Sequence, residues 1–425
     1  FSGRIQADIT ALANSGELGY ALRGAVNVPL SSTLAIPASG YTRRDAGYID
    51  NPVRGVRDVN TGWNSGGRLA APLRSSGDFT LRRSAVYQRG HGDGNSDVVV
   101  APGLGDREQN YLPTAGDYRQ EIQAYSAILN GHAGNVELTS VTGYNVYDYY
   151  NSNDYTYAYG ANAQRFFGVG GAILTSEGRT KKFSQEIRAV VPLGPNIDWL
   201  IGGFYTHENI PFTQQVLAVD PASSSGARLG QLLFLDIPIT HREFAVFSDL
   251  TLRLSDRFDV QVGARWSDLK ENFGTVTESG AVLPAPVTFP AIIANDDVVT
   301  YLVTPRFKVT PDFMLYARVA SGFRPGRSNS FNSDPTIPRA SGPDETRNFE
   351  IGAKGNFLGD LATLDASLFY IQFKDIQVNL ISPNNGLSYF TNGGEAKSVG
   401  AEVSLTLRPW TGMQVTAWGT YTDAV

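Results

Sequence analysis

Arg324 and Arg327 stand just beyond Phe323, at the end of an apolar and aromatic segment. Two guanidinium groups so close in the chain can hold a carboxylate or a chelated anion through charge-assisted, bidentate hydrogen bonds. The plainer reading pairs one of them with a neighbouring carboxylate, as charges of this kind usually do. Tyr155, Tyr157 and Tyr159 alternate along a polar stretch. Their rings can stack on an aromatic or sugar ligand, or else pack on one another. His207 and His241 are expected at the ends of two strands flanking one long loop, where their imidazoles would approach across the rim. Paired imidazoles suit iron, but two without a third ligand make a poor metal site. Asp93, Asn95 and Asp97 copy the first ligands of a calcium loop. Val98 stands where that loop needs glycine and Leu104 where it needs glutamate, so ordinary polar loop describes them better.

None of these groups belongs to a catalytic motif. The chain carries no Gly-x-Ser-x-Gly elbow, no His-Glu-x-x-His and no phosphate-cradling loop, so no enzyme and no cofactor are expected. With no Cys there is neither a disulfide scaffold nor a thiolate metal site. The net charge of −6, from 35 Lys and Arg against 41 Asp and Glu, offers no basic face for nucleic acid.

The elements that must position these residues follow one pattern. In the segment 258–268, Phe258, Val260, Val262, Ala264 and Trp266 are apolar, while Asp259, Gln261, Gly263, Arg265 and Ser267 are polar or small. Such a strand has one greasy face and one wet face. Similar stretches recur about 17 times, joined by connections that are alternately short and long. Short ones include 131–133, 193–196 and 255–256; long ones include 151–179, 208–240, 274–297, 324–346 and 375–397. When connections of two lengths segregate by parity, the economical solution is an antiparallel up-and-down barrel whose greasy face meets lipid. No apolar run reaches roughly the 18 residues of a membrane-crossing helix, but strands cross a bilayer by satisfying one another's backbone groups. Glu186, Arg188, Arg253, Glu350, Lys354, Glu402 and Arg408 fall on the polar faces, too many charges for a dry sandwich core. No blade-length repeat supports a propeller. The expected fold is therefore all-β, a transmembrane β-barrel over residues 1–425 in a bacterial outer membrane, in contact with lipid and lipopolysaccharide.

Several segments resemble the barrel of TonB-dependent outer-membrane receptors of the iron-complex type. They include Lys182-Phe183-Ser184-Gln185-Glu186-Ile187-Arg188, Ser321-Gly322-Phe323-Arg324-Pro325-Gly326, Asn348-Phe349-Glu350-Ile351-Gly352-Ala353-Lys354 and Thr391-Asn392-Gly393-Gly394-Glu395-Ala396-Lys397. They occur in the family's order over most of the chain. The resemblance implies a barrel of roughly 22 strands with an N-terminal plug, of which this chain would be a partial barrel lacking the plug, the coupling box and the last strands. It further implies an active transporter that captures a scarce solute, most readily a ferric siderophore-type chelate, using energy from the TonB complex through that N-terminal segment. A passive porin, or a receptor for an oligosaccharide or cobalamin, remains the alternative at this stage.

Overall fold

A computed structural model describes residues 1–76, 79–329, 334–359, 361–383 and 388–425. Among them run β1 (Ser2–Thr10), β2 (Gly19–Pro29), β3 (Ala35–Asp45), β4 (Gly62–Ser76), β5 (Phe79–Gly92), β6 (Tyr118–Ala133) and β7 (Val136–Asp154). A helix, α1 (Thr156–Phe167), precedes β8 (Gly171–Pro192), β9 (Ile197–Val219), β10 (Arg228–Arg253) and β11 (Phe258–Phe273). Next come β12 (Val276–Ser279), β13 (Val287–Phe289), β14 (Ile292–Thr310), β15 (Phe313–Arg324), β16 (Asp344–Phe357) and β17 (Ala362–Lys374). The chain ends with β18 (Gln377–Ile381), β19 (Ser388–Asn392), β20 (Glu395–Leu407) and β21 (Val415–Ala424).

The main sheet has 19 strands; β18 and β19 form a separate hairpin. Setting aside β12 and β13, which lie within one connection, 17 strands form the wall. Each pairs antiparallel with the wall strand that follows it, β11 stepping to β14 and β17 to β20. This is the meander expected from the alternation. Among the described residues β1 pairs only with β2 and β21 only with β20, so the barrel wall is not closed. The connections at one rim stay short, as at 134–135, 193–196, 254–257 and 311–312, while the other rim carries the long ones.

The two faces of the wall separate cleanly. On the outward face, Tyr125, Tyr144, Phe183, Tyr205, Phe244 and Trp266 run across six neighbouring strands, β6 to β11, all of them exposed. Ring contacts link Tyr125 to Tyr144 at 6.5 Å, Phe183 to Tyr205 at 6.5 Å and Phe244 to Trp266 at 6.3 Å. Amphipathic rings in a continuous row mark a membrane interface. Toward the short-turn rim the same face continues with Val246, Val262, Val303 and Phe307. The inward face carries ion pairs instead, among them Arg265 with Glu243 at 2.6 Å and Lys354 with Asp365 at 2.9 Å. There, aromatic rings lie over glycines directly across the ladder. A Cβ on Gly352 would sit 2.5 Å from the Tyr316 ring, and one on Gly400 would sit 2.3 Å from Phe369, so both positions need hydrogen alone.

Above the aromatic row the structure departs from the expected loops. The stretch 208–240 is mostly strand, because β9 and β10 continue to Val219 and from Arg228. The stretch 151–179 is likewise shortened by β7 and β8 and contains α1, which ends at Gly168 in the left-handed region, φ 72°. Val216, Leu217, Ala218 and Val219 are consecutive and all buried, so both faces of this strand are covered and period-two alternation disappears. Ala163 of α1 joins Ala172, Val216, Ala218 and Leu232 in one apolar cluster, and Leu235, Ile237 and Val276 form another. The single-layered wall needs no such core; the extracellular layer does.

These faces set a testable asymmetry. Val262→Arg places a charge on the outward face between Leu250 and Val303 and is expected to cost about 2–4 kcal/mol of folding stability in lipid. Thr251→Arg, on the inward face, is expected to cost far less; urea unfolding in bilayers measures both.

Candidate functional site at the outer mouth

Two of the long connections are stapled together. Gln377 donates from Nε2 to the carbonyls of Pro325 at 2.6 Å and Gly342 at 3.0 Å. Asn392 donates to the carbonyls of Asp375 at 2.7 Å and Gly342 at 3.0 Å, and accepts from the Gly342 N–H at 2.6 Å. Asn329 exchanges hydrogen bonds with the Phe390 backbone at 2.7 and 2.8 Å. Side-chain amides thus supply the backbone partners that a regular ladder would otherwise provide. The described parts of connections 325–343 and 375–394 therefore share one hydrogen-bond network.

Arg324 and Arg327 belong to this network in different ways. The Arg324 guanidinium donates from Nε to Oδ2 of the buried Asp344 at 2.9 Å, so the plainer reading of a carboxylate partner holds for it. Arg327 lies over the Phe390 ring, 4.9 Å from its centroid, and its backbone is held by Ser341 at 3.0 and 2.7 Å. Tyr155 occupies the N-cap position of α1 without a side-chain cap bond and stacks on Tyr159 at 5.7 Å, with Tyr157 edge-on at 5.2 Å. Tyr155 and Tyr159 pack against the Ala163 cluster, whereas Tyr157 is 84% exposed. Of the three tyrosines, two serve packing.

His207 and His241 are not at strand ends and do not meet. They lie within β9 and β10, where His207 opposes Arg242 and His241 opposes Glu208. One residue of offset sends their side chains to opposite faces of the sheet. His207 points outward and His241 inward. Among the described residues no group of three or more His, Asp or Glu is arranged to hold a metal ion, and Asp93, Asn95 and Asp97 form no such group.

His241 instead joins a row that was not read from the sequence. Lys182, Glu208, His241 and Glu271 stand in register on β8, β9, β10 and β11 on the inward face, with Lys182 paired to Glu208. Glu271 lies beyond Trp266 on the extracellular side. Burial pushes its carboxyl up to about 7 against the pull of the Arg327 guanidinium, with Asp296 adding to the rise. In the connection before β6, burial likewise pushes Asp117 up to about 6, with Asp93 adding and Arg119, Arg228 and Arg54 opposing. Glu271 stands on the inward side of the β11 alternation and Asp117 in a connection, and arginines that act on them, Arg327 on the first and Arg228 and Arg54 on the second, come from elsewhere in the chain. The mouth thus presents cations, carboxyls whose pKa burial raises, and exposed rings above a wet lumen.

A wall with a lipid-facing aromatic row, an ion-paired inner face and a stapled outer mouth is that of an outer-membrane β-barrel. The family model for the TonB dependent receptor-like beta-barrel matches residues 4–424, and the chain belongs to that family. It is 28% identical over 250 residues to the pesticin receptor of Yersinia enterocolitica, covering 57% of this chain and 34% of that protein. The ferric yersiniabactin uptake receptor FyuA of Yersinia pestis superposes with a TM-score of 0.78 at 19% identity, covering 96% of this chain and 59% of that one. The siderophore receptor PiuA of Acinetobacter baumannii superposes with a TM-score of 0.74 at 15% identity, covering 99% and 63%. The chain therefore spans between about a third and two thirds of these relatives' length. Its place is the outer membrane of a Gram-negative bacterium.

Two outcomes follow for the mouth. Gln377→Ala leaves the Pro325 and Gly342 carbonyls without this partner and is expected to cost about 1–3 kcal/mol, with faster protease cleavage of 325–343 as the readout. Because Glu271 holds its proton more tightly in the folded protein, the stabilisation is full below about pH 4.5 and is lost as pH rises through about 7. Glu271→Gln is expected to flatten that part of the melting-temperature profile; an unchanged slope would show that Glu271 does not titrate there.

Proposed function

We propose that this barrel is the wall of an active receptor that captures a ferric siderophore-type chelate at its outer mouth and passes it to the periplasm, with energy from the TonB complex. The observation that carries the reading is the mouth itself. Strands extended past the membrane and connections stapled by Gln377 and Asn392 form a built extracellular layer, which suits capture of a solute rather than passive flow. Arg327 with Phe390 offers a cation and a ring to an anionic, aromatic-bearing chelate, and Tyr157 a second exposed ring. Family membership and the names of the relatives, which refer to pesticin, yersiniabactin and siderophores, support the iron class. The reading is of a transporter and not an enzyme, a single barrel domain over 1–425, coupled to TonB through parts of the parent protein other than this wall.

Uptake of radiolabelled ferric siderophores by a deletion strain, set beside its growth on oligosaccharides, tests the cargo. Loss of one ferric chelate's uptake is expected, restored by the gene and weakened about tenfold in binding by Arg327→Ala, the worth of one charge-assisted contact. A defect confined to glycan growth would replace the iron reading, and uptake independent of TonB would make the barrel a passive pore.

A further inference from the structure

The hairpin of β18 and β19 runs out into Asn392-Gly393-Gly394, a sequence with chemistry of its own. Asparagine is thermolabile because the next backbone nitrogen can attack its side-chain amide carbon, and a following glycine leaves that attack least hindered. Gly394 is held at φ 76°, where glycine is favoured. Gly393 has no such requirement. Its φ lies outside the left-handed region, and a Cβ there would meet only Val378 Cγ2 at 3.7 Å, an ordinary contact. Packing therefore does not explain the residue that makes Asn392 labile.

In the folded mouth both reacting groups are occupied. Asn392 Nδ2 donates to the carbonyls of Asp375 at 2.7 Å, Gly342 at 3.0 Å and Pro343 at 3.4 Å, while its Oδ1 accepts from the Gly342 N–H at 2.6 Å. The attacking atom is engaged as well, because the Gly393 N–H donates to the Ile376 carbonyl at 2.9 Å. Asn392 stands across the hairpin from Gln377, and both side chains reach the Gly342 carbonyl, each at 3.0 Å. Loss of one grip therefore loosens the other. Asn130-Gly131 is the contrasting case, since it lies within β6 and is paired with β5 on one side and β7 on the other.

We propose that Asn392 is a deamidation site guarded by the staple, and that its conversion releases connection 375–394 from connection 325–343 for good. When the hairpin opens, the Gly393 nitrogen bonds to Cγ of Asn392, and the side-chain nitrogen leaves as ammonia with the proton that Gly393 gives up. Water then opens the cyclic imide to aspartate or isoaspartate, so no oxidant, reductant or further reactant is needed. The product has no donor to replace Nδ2. A carboxylate turned toward the carbonyl oxygens of Asp375 and Gly342 meets acceptors only, and the staple does not re-form. The inference concerns the mouth's own chemistry and holds for any cargo.

The test ages the full-length receptor in detergent micelles at mildly alkaline pH and follows aspartate plus isoaspartate at position 392 by peptide mass spectrometry. Fragmentation separates this site from Asn385-Gly386, which falls in the same stretch of sequence. Heat-modifiable gel mobility identifies folded barrels. The wild type is expected to convert more slowly than a free peptide of residues 389–397. Q377A is expected to convert about tenfold faster than the wild type, the shift in local opening that one lost hydrogen bond produces. N329A, which frees the Phe390 end of β19, is expected to act in the same direction. G393A is expected to suppress conversion in either background and, alone, to leave protease resistance of 325–343 as in the wild type. N392D, which carries the product side chain, is expected to hasten that cleavage. Wild-type conversion as fast as in the free peptide overturns the proposal, and so does undiminished conversion in Q377A/G393A. It also fails if folded Q377A and N329A show no acceleration, if Asn130 accelerates equally with Asn392, or if N392D is cleaved no faster than the wild type.

Discussion

Within hydrocarbon no water is present to accept a hydrogen bond from a backbone N–H, and each unsatisfied group costs several kcal/mol. Every feature of the wall follows from meeting that demand with strands alone. Each wall strand between β1 and β21 has a neighbour on both sides, so its donors and acceptors are used laterally. The side chains are then free to serve two different solvents. Leu250, Val262 and Val303 face lipid in one row, while Thr251, Gln261 and Thr304 face the lumen in the next. Stability in such a wall comes from the ladder and the lipid, not from a packed interior, and inward ion pairs such as Arg265 with Glu243 remain in contact with water.

Outside the membrane the demand changes and the structure changes with it. Water again satisfies exposed backbone, and the apolar residues of β8, β9, β10 and α1 have no lipid to face. They bury one another, which is why the apolar clusters around Ile173, Val216 and Leu235 all lie in the extracellular layer. Connections outside the main sheet are joined through amides, with Gln377, Asn329 and Asn392 each reaching backbone groups 9 to 61 residues away in the chain.

Charge is sorted by face as well as by height. The inward row from Lys182 to Glu271 alternates cation, carboxylate, imidazole and carboxylate, a pattern that largely compensates itself. The outward row from His207 to Lys270 does not. Two rows one residue apart on the same strands therefore differ in charge balance because they lie on opposite faces of the wall.

The amino-acid sequence alone determined the wall: its strand periodicity, the parity of its connections and which side chains face lipid, because each of these depends on residues one or two positions apart. Phe258 to Trp266 could be assigned to faces with no knowledge of any other strand. Tertiary structure alone decided the mouth. Val216–Val219 carry no alternation because both of their faces are covered, and α1 lacks a capping side chain that would have announced it. His207 and His241, expected as partners, point to opposite faces because the register between β9 and β10 is offset by one residue. Glu271 is influenced by Arg327, in the connection after β15, and by Asp296 on the neighbouring β14, and no local pattern encodes an interaction between groups so separated in the chain.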